Sequence, residues 1–487
     1  MNFDFSTALS WVTACVVAVL ILGLLVRMAR GRKRSRWGFK EAVKNPESMR
    51  AWDDDFQRRD LEANAARMWS DDQVAAAVRA FVMDAESSRG AGIQGYVLRK
   101  LDTRTHPAVL ALLGDAALHS RLVKPTGTDI LPEAPFNRAC DLLGDAPPIH
   151  AMPLVAPFLE DPSAGIRRDA AQVIGKTGAA GTAPLLRKAF ADEDEYVRSS
   201  ALMGMMYALN QQRMDGPLRA DIFPDVLALL LQERNAREAS ILLPKLDETR
   251  ALKIFLRPEI FFTGSPILPD VLRALHEEKA TVPRGLLLEI IAGLGTLEVK
   301  YPHTHALADA LLLLGRHREG QDRGTLQALM EHPDKDVAAG AAAALLASHG
   351  MEDVHDRLAE KERSAGHLTP APAQRHYLAV YICDAEILNG GITQYFFNSS
   401  GDTWPDALAG LKAMGFRERL AILEKALAMF GKHAPSTDHG TRQNQLAKRF
   451  RKDDTMFDEL ESAWYESTEV VEVFLARYVL EHAEAFC

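Results

Sequence analysis

A chain of 487 residues, with 47% hydrophobic and 25% charged side chains, is too long for one ordinary core and too apolar for wholesale disorder, so several domains or a repeat array are expected. Its net charge of -9 argues against a direct nucleic-acid binder, because a phosphate backbone needs a positive surface. Cys15, Cys140, Cys383 and Cys487 form no C-x-x-C pair, which excludes a disulfide framework or a cysteine metal site.

Thr7 to Val26, TALSWVTACVVAVLILGLLV, is a run of 20 residues without charge or proline. As a helix it would be roughly 30 Å long, the hydrocarbon thickness of a bilayer. Arg27, Arg30, Arg32, Lys33, Arg34 and Arg36 follow it, and only Asp4 carries charge before it. The positive-inside rule then predicts an extracytoplasmic N-terminus over 1–6, a transmembrane helix over 7–26 and a basic juxtamembrane segment and connector over 27–70. Anionic lipid would meet the cluster from Arg27 to Arg36. A cleaved signal peptide would need the reverse charge order.

Residues 71–362 show helical periodicity without strand-like alternation. PLVAPFLEDPSAGIRRDAAQVIGKTG from Pro153 aligns with PLLRKAFADEDEYVRSSALMGMMYAL from Pro184, placing Asp161 on Asp192, Ile166 on Val197, Arg167 on Arg198 and Ala170 on Ala201. A third copy puts Val337 and Ala341 at the same positions. A helix, an acidic turn, a Val-Arg pair and a small-residue helix resemble the HEAT repeat, which implies a stacked α-solenoid of six to eight unequal helical pairs, because one hairpin cannot bury its apolar face alone. Arg167, Arg168 and Arg198 are candidate groove residues for an acidic partner, or else bridges between neighbouring acidic turns. Gly175-Lys176-Thr177 lacks the glycine a phosphate loop needs at Ala170. His303 and His305 lack companion ligands for a metal.

Pro370, Pro372 and Gly366 predict a linker over 363–375 before a separate helical domain over 376–487. There a helix should break at Asn389-Gly390-Gly391, resume as far as Asn398-Ser399-Ser400-Gly401, and give way to a new helix opened by Trp404-Pro405. ILNGGITQYFFNSSGD, a "GF" turn and FDELESAWYESTEVVEVFLARYVLEH together resemble the bacterial DNA-mimic-protein-19-like family. That resemblance implies an all-helical fold, no catalysis, and carboxylates presented to a DNA-binding protein. Residues 453–472 hold eight acids and no base, whereas 442–452 hold five bases, and adjacent positive charge would screen a negative face.

The expected fold is therefore all-α: one transmembrane helix, a HEAT-like solenoid and a helical C-terminal domain, located as a single-pass protein of the bacterial inner membrane with its bulk in the cytoplasm. Candidate partner-binding residues are Glu386, Asn389, Gln394, Tyr395 and Asn398 of the signature and Asp453, Asp454, Asp458 and Glu459 of the acidic run. Glu386 could also act as a general base beside a histidine such as His376 or His433. The composition and motifs point to a non-enzymatic scaffold for protein partners, without cofactor or metal. The alternatives are a regulator acting by DNA mimicry or an enzyme.

Overall fold

The computed structural model describes residues 43–44, 57–84, 92–126, 133–364 and 370–486. Every regular element among them is helical, and one isolated bridge pairs Thr126 with Glu133. The chain divides into two compact units, 54–317 and 318–487, and the described residues Val43 and Lys44 belong to the second.

In the first unit the helices include α1 (Asp71–Arg79), α2 (Gly92–Lys100), α3 (His106–Gly114), α4 (Pro135–Leu142), α5 (Ala164–Thr177), α6 (Ala183–Phe190), α7 (Glu195–Asn210), α8 (Gly216–Leu231), α9 (Ala236–Leu246), α10 (Glu248–Phe255), α11 (Leu268–Glu277), α12 (Arg284–Leu294) and α13 (His303–Gly315). Asp194 begins α7 by accepting hydrogen bonds from the Tyr196 and Val197 amides, meeting donors that a helix start leaves open. Ile166 and Val197, the aligned branched residues, are both buried. Their helices meet backbone to backbone: a Cβ on Gly204 would lie 2.4 Å from the Gln172 carbonyl oxygen. Arg138 is fully buried between α4 and the preceding chain, donating to the Val82 carbonyl through Nε and Nη2 at 3.1 and 2.8 Å.

The second unit contains α14 (Arg323–Leu329), α15 (Lys335–Ser348), α16 (Val354–Ser364), α17 (Pro372–Phe397), α18 (Trp404–Ala413), α19 (Glu418–Ala428), α20 (His439–Phe450), α21 (Asp458–Glu466) and α22 (Val471–Glu481). Asp334 caps α15 as Asp194 caps α7, and Val337 is buried. This last repeat-like hairpin packs on α22. Met351, Val354 and Leu358 share one apolar core with Ile387, Phe396, Phe457 and Trp464, and Val43 belongs to that core at 0% exposure. Pro372 stands at the start of α17, where its missing N–H costs nothing. The helix bends at Gly391, whose φ of 89° and ψ of 174° are non-helical.

The membrane-spanning part of the expected fold is not supported. Among the described residues no helix is long and apolar enough to cross a membrane, and the segment Thr7 to Val26 lies outside them, as do residues 1–6 and Arg27 to Arg36. The longest described helix, α17, has 26 residues but carries Arg375, Asp384 and Glu386 and bends at Gly391; charge and a broken ladder are both costly in hydrocarbon. The transmembrane helix and the single-pass inner-membrane placement are therefore withdrawn.

Candidate functional site

In the repeat unit two of the three candidate arginines, Arg167 and Arg198, are held by turns. Arg167 grips Asp192 with both arms, Nε to Oδ2 at 2.8 Å and Nη2 to Oδ1 at 3.0 Å, while its Nη1 donates to the Asp161 carbonyl. Arg198 is buried and donates to Asn235 Oδ1 and to the carbonyls of Asp192 and Glu193. Each thus ties one acidic turn to the next repeat. Arg168, half exposed, pairs with its neighbour Asp169.

The open surface lies beside them. An open cavity of about 800 Å³ runs across α2, α4 and α5 to the end of α7, lined by Arg99, Asp141, Asp145, Asp169, Gln172 and Lys176. Arg99 pairs with Asp141 at 2.6 Å and Lys176 with Asp145 at 3.0 Å, so both ends are held by ion pairs. Lys176 also sits 4.9 Å from the Tyr207 ring centroid. The Cys140 thiol at the floor is buried and pushed well above its ordinary pKa by that burial, so it is not an activated nucleophile. Sequence reading missed this lining; its one signal was Lys176 inside a phosphate-loop lookalike, where Gly175 serves close helix packing.

In the C-terminal unit the signature converges on Glu386. Its Oε2 accepts from Gln394 Nε2 at 2.8 Å and Asn398 Nδ2 at 3.1 Å, across the bend at Gly391. A Cβ at Gly390 would collide with the Gln394 amide, and one at Gly391 with the buried Glu461 carboxylate. Asn389 is exposed. Tyr395 is buried, and burial first, then the adjacent Cys383, hold its hydroxyl well above the ordinary range. His376 Nδ1 contacts the Tyr478 hydroxyl at 3.0 Å, while the amides occupy Glu386.

Arg442 explains the Asn-Ser-Ser-Gly end of α17. Fully buried, it donates to the carbonyls of Phe396, Asn398 and Ser436 and to Asp402 Oδ1 at 2.6 to 2.9 Å. A cation placed there satisfies carbonyls that a helix C-terminus leaves open.

The acids of 453–472 do different work from one another. Asp453 accepts from the Thr455 amide and hydroxyl, and Asp454 pairs with Lys44 at 2.8 Å. Glu461 is buried and receives the Thr393 amide and hydroxyl at 3.3 Å. Glu469 accepts the amides of Arg417, Glu418 and Arg419 and so caps α19. Asp458 is half-buried at the start of α21, and Glu459 is exposed. The run is thus interrupted as a charged surface.

Residues 369–482 match the family described as DMP19-like protein. Residues 137–206 match the HEAT repeats. The chain therefore carries a HEAT-repeat region and a C-terminal DMP19-like domain. No curated protein and no solved structure matches it. The HEAT match covers α4 to α7 and with them most of the cavity lining; the DMP19-like match covers α17 to α22.

Proposed function

We propose that this protein is a non-enzymatic scaffold that holds protein partners in the groove of its HEAT-repeat unit, with the DMP19-like domain as a second binding module. The open cavity of about 800 Å³ carries this reading. Its floor is built from successive helices, its charges are already placed by ion pairs at Asp141 and Asp145, and its cysteine is unactivated. Such a surface suits a partner that exchanges ion pairs across a polar, wet interface. Glu386, the best candidate for a general base, is engaged by two amides.

The test is site-specific crosslinking. A photoreactive residue in place of Gln172 of the full chain should capture a discrete protein, and substituting Asp141→Ala together with Lys176→Ala should abolish that adduct while leaving the melting temperature within a few degrees. An adduct that survives the double substitution would remove the groove from the proposal.

A further inference from the structure

The helix α17 has a face that is only partly covered among the described residues. Tyr381, Ala385 and Leu388 recur at i, i+4 and i+7, which places them in one stripe, and all three are exposed, Tyr381 by 40% and Leu388 by 49%. The opposite face is core: Val380, Cys383 and Ile387 are buried. Tyr465 of α21 extends the stripe. Its hydroxyl donates to the Ile387 carbonyl at 2.9 Å, which fixes the ring next to the turn that carries Leu388, and the side chain is 36% exposed. At the other end the His355 ring lies 4.1 Å from that of Tyr381. Tyrosine side chains held in place and partly exposed are the kind that anchor protein interfaces, and an apolar patch around them marks an interaction site.

The rim of this face is acidic. Asp356 of α16 and Glu472 of α22 both act by charge on the Tyr381 hydroxyl; Asp356 is exposed, as is Glu466 beside Tyr465, while desolvation first and then the neighbouring Asp384 raise the Glu472 carboxyl above its ordinary range. Of the neighbouring cations, Lys335 Nζ donates to the Ser467 carbonyl at 2.6 Å, and Arg419 is buried against Asp384 at 3.2 Å.

We infer that the Tyr381–Leu388–Tyr465 face docks an amphipathic helical segment of a protein partner, one with apolar residues at i, i+4 and i+7 flanked by lysine or arginine. Apolar anchors fill the stripe and the flanking cations meet Asp356, Glu466 and Glu472; an acidic segment is repelled. The inference rests on the scaffold reading but concerns a different surface from the groove.

The experiment uses the full chain and two synthetic helical peptides with the same leucine stripe, one carrying lysine and the other glutamate at every flanking position, followed by fluorescence anisotropy. The lysine peptide should bind and the glutamate peptide should not. Leu388→Asp should weaken the lysine peptide roughly tenfold or more, and Glu472→Lys should weaken it while reducing its salt dependence. Both residues are exposed, so the melting temperature should hold. Equal binding of the two peptides, or full binding by Leu388→Asp, would overturn the inference. Self-association abolished by Leu388→Asp would overturn it too, by assigning the face to a second copy of the chain. Crosslinking at Gln172 is read independently in the same variants, so loss of the face leaves the groove proposal standing, and the reverse.

Discussion

Gly175 and Gly204 bring α5 and α7 into direct backbone contact: a Cβ on Gly175 would lie 2.6 Å from the Ala201 carbonyl oxygen, and one on Gly204 would lie 3.0 Å from the Gly175 Cα. Neither obstruction is a flexible side chain, so the helices themselves would have to separate. Gly204→Val should destabilise the repeat unit by about 3 kcal/mol or more, at the upper end of overpacking costs. Chemical denaturation of the full chain should show an earlier first transition, whereas Gly216→Ala, whose Cβ would meet nothing within 4 Å, should leave it in place.

The Arg167–Asp192 bridge predicts a pH dependence. Burial pushes the Asp192 carboxyl up, but the two hydrogen bonds from Arg167 and the amide of Asp194 outweigh it and leave the pKa below its ordinary 3.8. A depressed folded-state pKa gives stability that is fully present above the unfolded value and is lost as pH falls through the folded one. Asp192→Asn should therefore be destabilising at neutral pH, by about 1 to 2 kcal/mol, since it removes the charged acceptor of a guanidinium that keeps its bonds to the Asp161 and Pro162 carbonyls. That difference from the unsubstituted chain should shrink toward zero in melts below pH 3.8.

The repeats were legible because a local device recurs. An acid caps the second helix at Asp194 and Asp334, a branched residue follows three positions on, and period and chemistry agree. The bend of α17 was legible for the same reason, since only glycine tolerates the φ of Gly391. What stayed hidden depends on distant partners. Glu461 and Glu459 stand two apart in one acidic run, yet one is buried under Thr393 and the other exposed; no local pattern separates them. Arg442 reads as one base among five, although it alone is fully buried among helix-end carbonyls. Sequence reading also placed the hairpin of α14 and α15 in the solenoid range, where its periodicity belongs, with no signal that α15 packs on α22.

Val43 offers a test of that long-range packing. It lies in the core of the second unit, and the neighbouring Lys44 pairs with Asp454 while its carbonyl accepts from Arg451 Nε at 2.9 Å. Val43→Asp should cost several kcal/mol, the penalty for an unpaired buried charge, and should raise amide hydrogen exchange in α20 and α21. Lys44→Ala should cost at most about 1 kcal/mol, because that ion pair is partly exposed. Equal effects of the two substitutions would show that Val43 contributes no core packing.

Gly391 and Glu461 form the sharpest thermodynamic cycle in the DMP19-like domain. A Cβ at Gly391 meets two penalties at once: a left-handed φ of 89°, and a Glu461 oxygen 2.3 Å away. The first is a backbone cost of about 1 to 2 kcal/mol. The second forces a buried carboxylate off the Thr393 amide and hydroxyl, and leaving such donors unmet costs a further 1 to 3 kcal/mol or so. Gly391→Ala should therefore lose roughly 3 kcal/mol in chemical denaturation of the second unit. Glu461→Ala should also destabilise, since it strands the Thr393 donors, whereas Glu459→Ala on the exposed side of α21 should have little effect. In the Glu461→Ala background the collision is gone and only the backbone cost remains, so the double variant should be more stable than the two single losses added together predict, by at least about 1 kcal/mol. Strict additivity would mean that the carboxylate does not occupy the space that the glycine opens, and that the Asn-Gly-Gly bend is kept for its backbone alone.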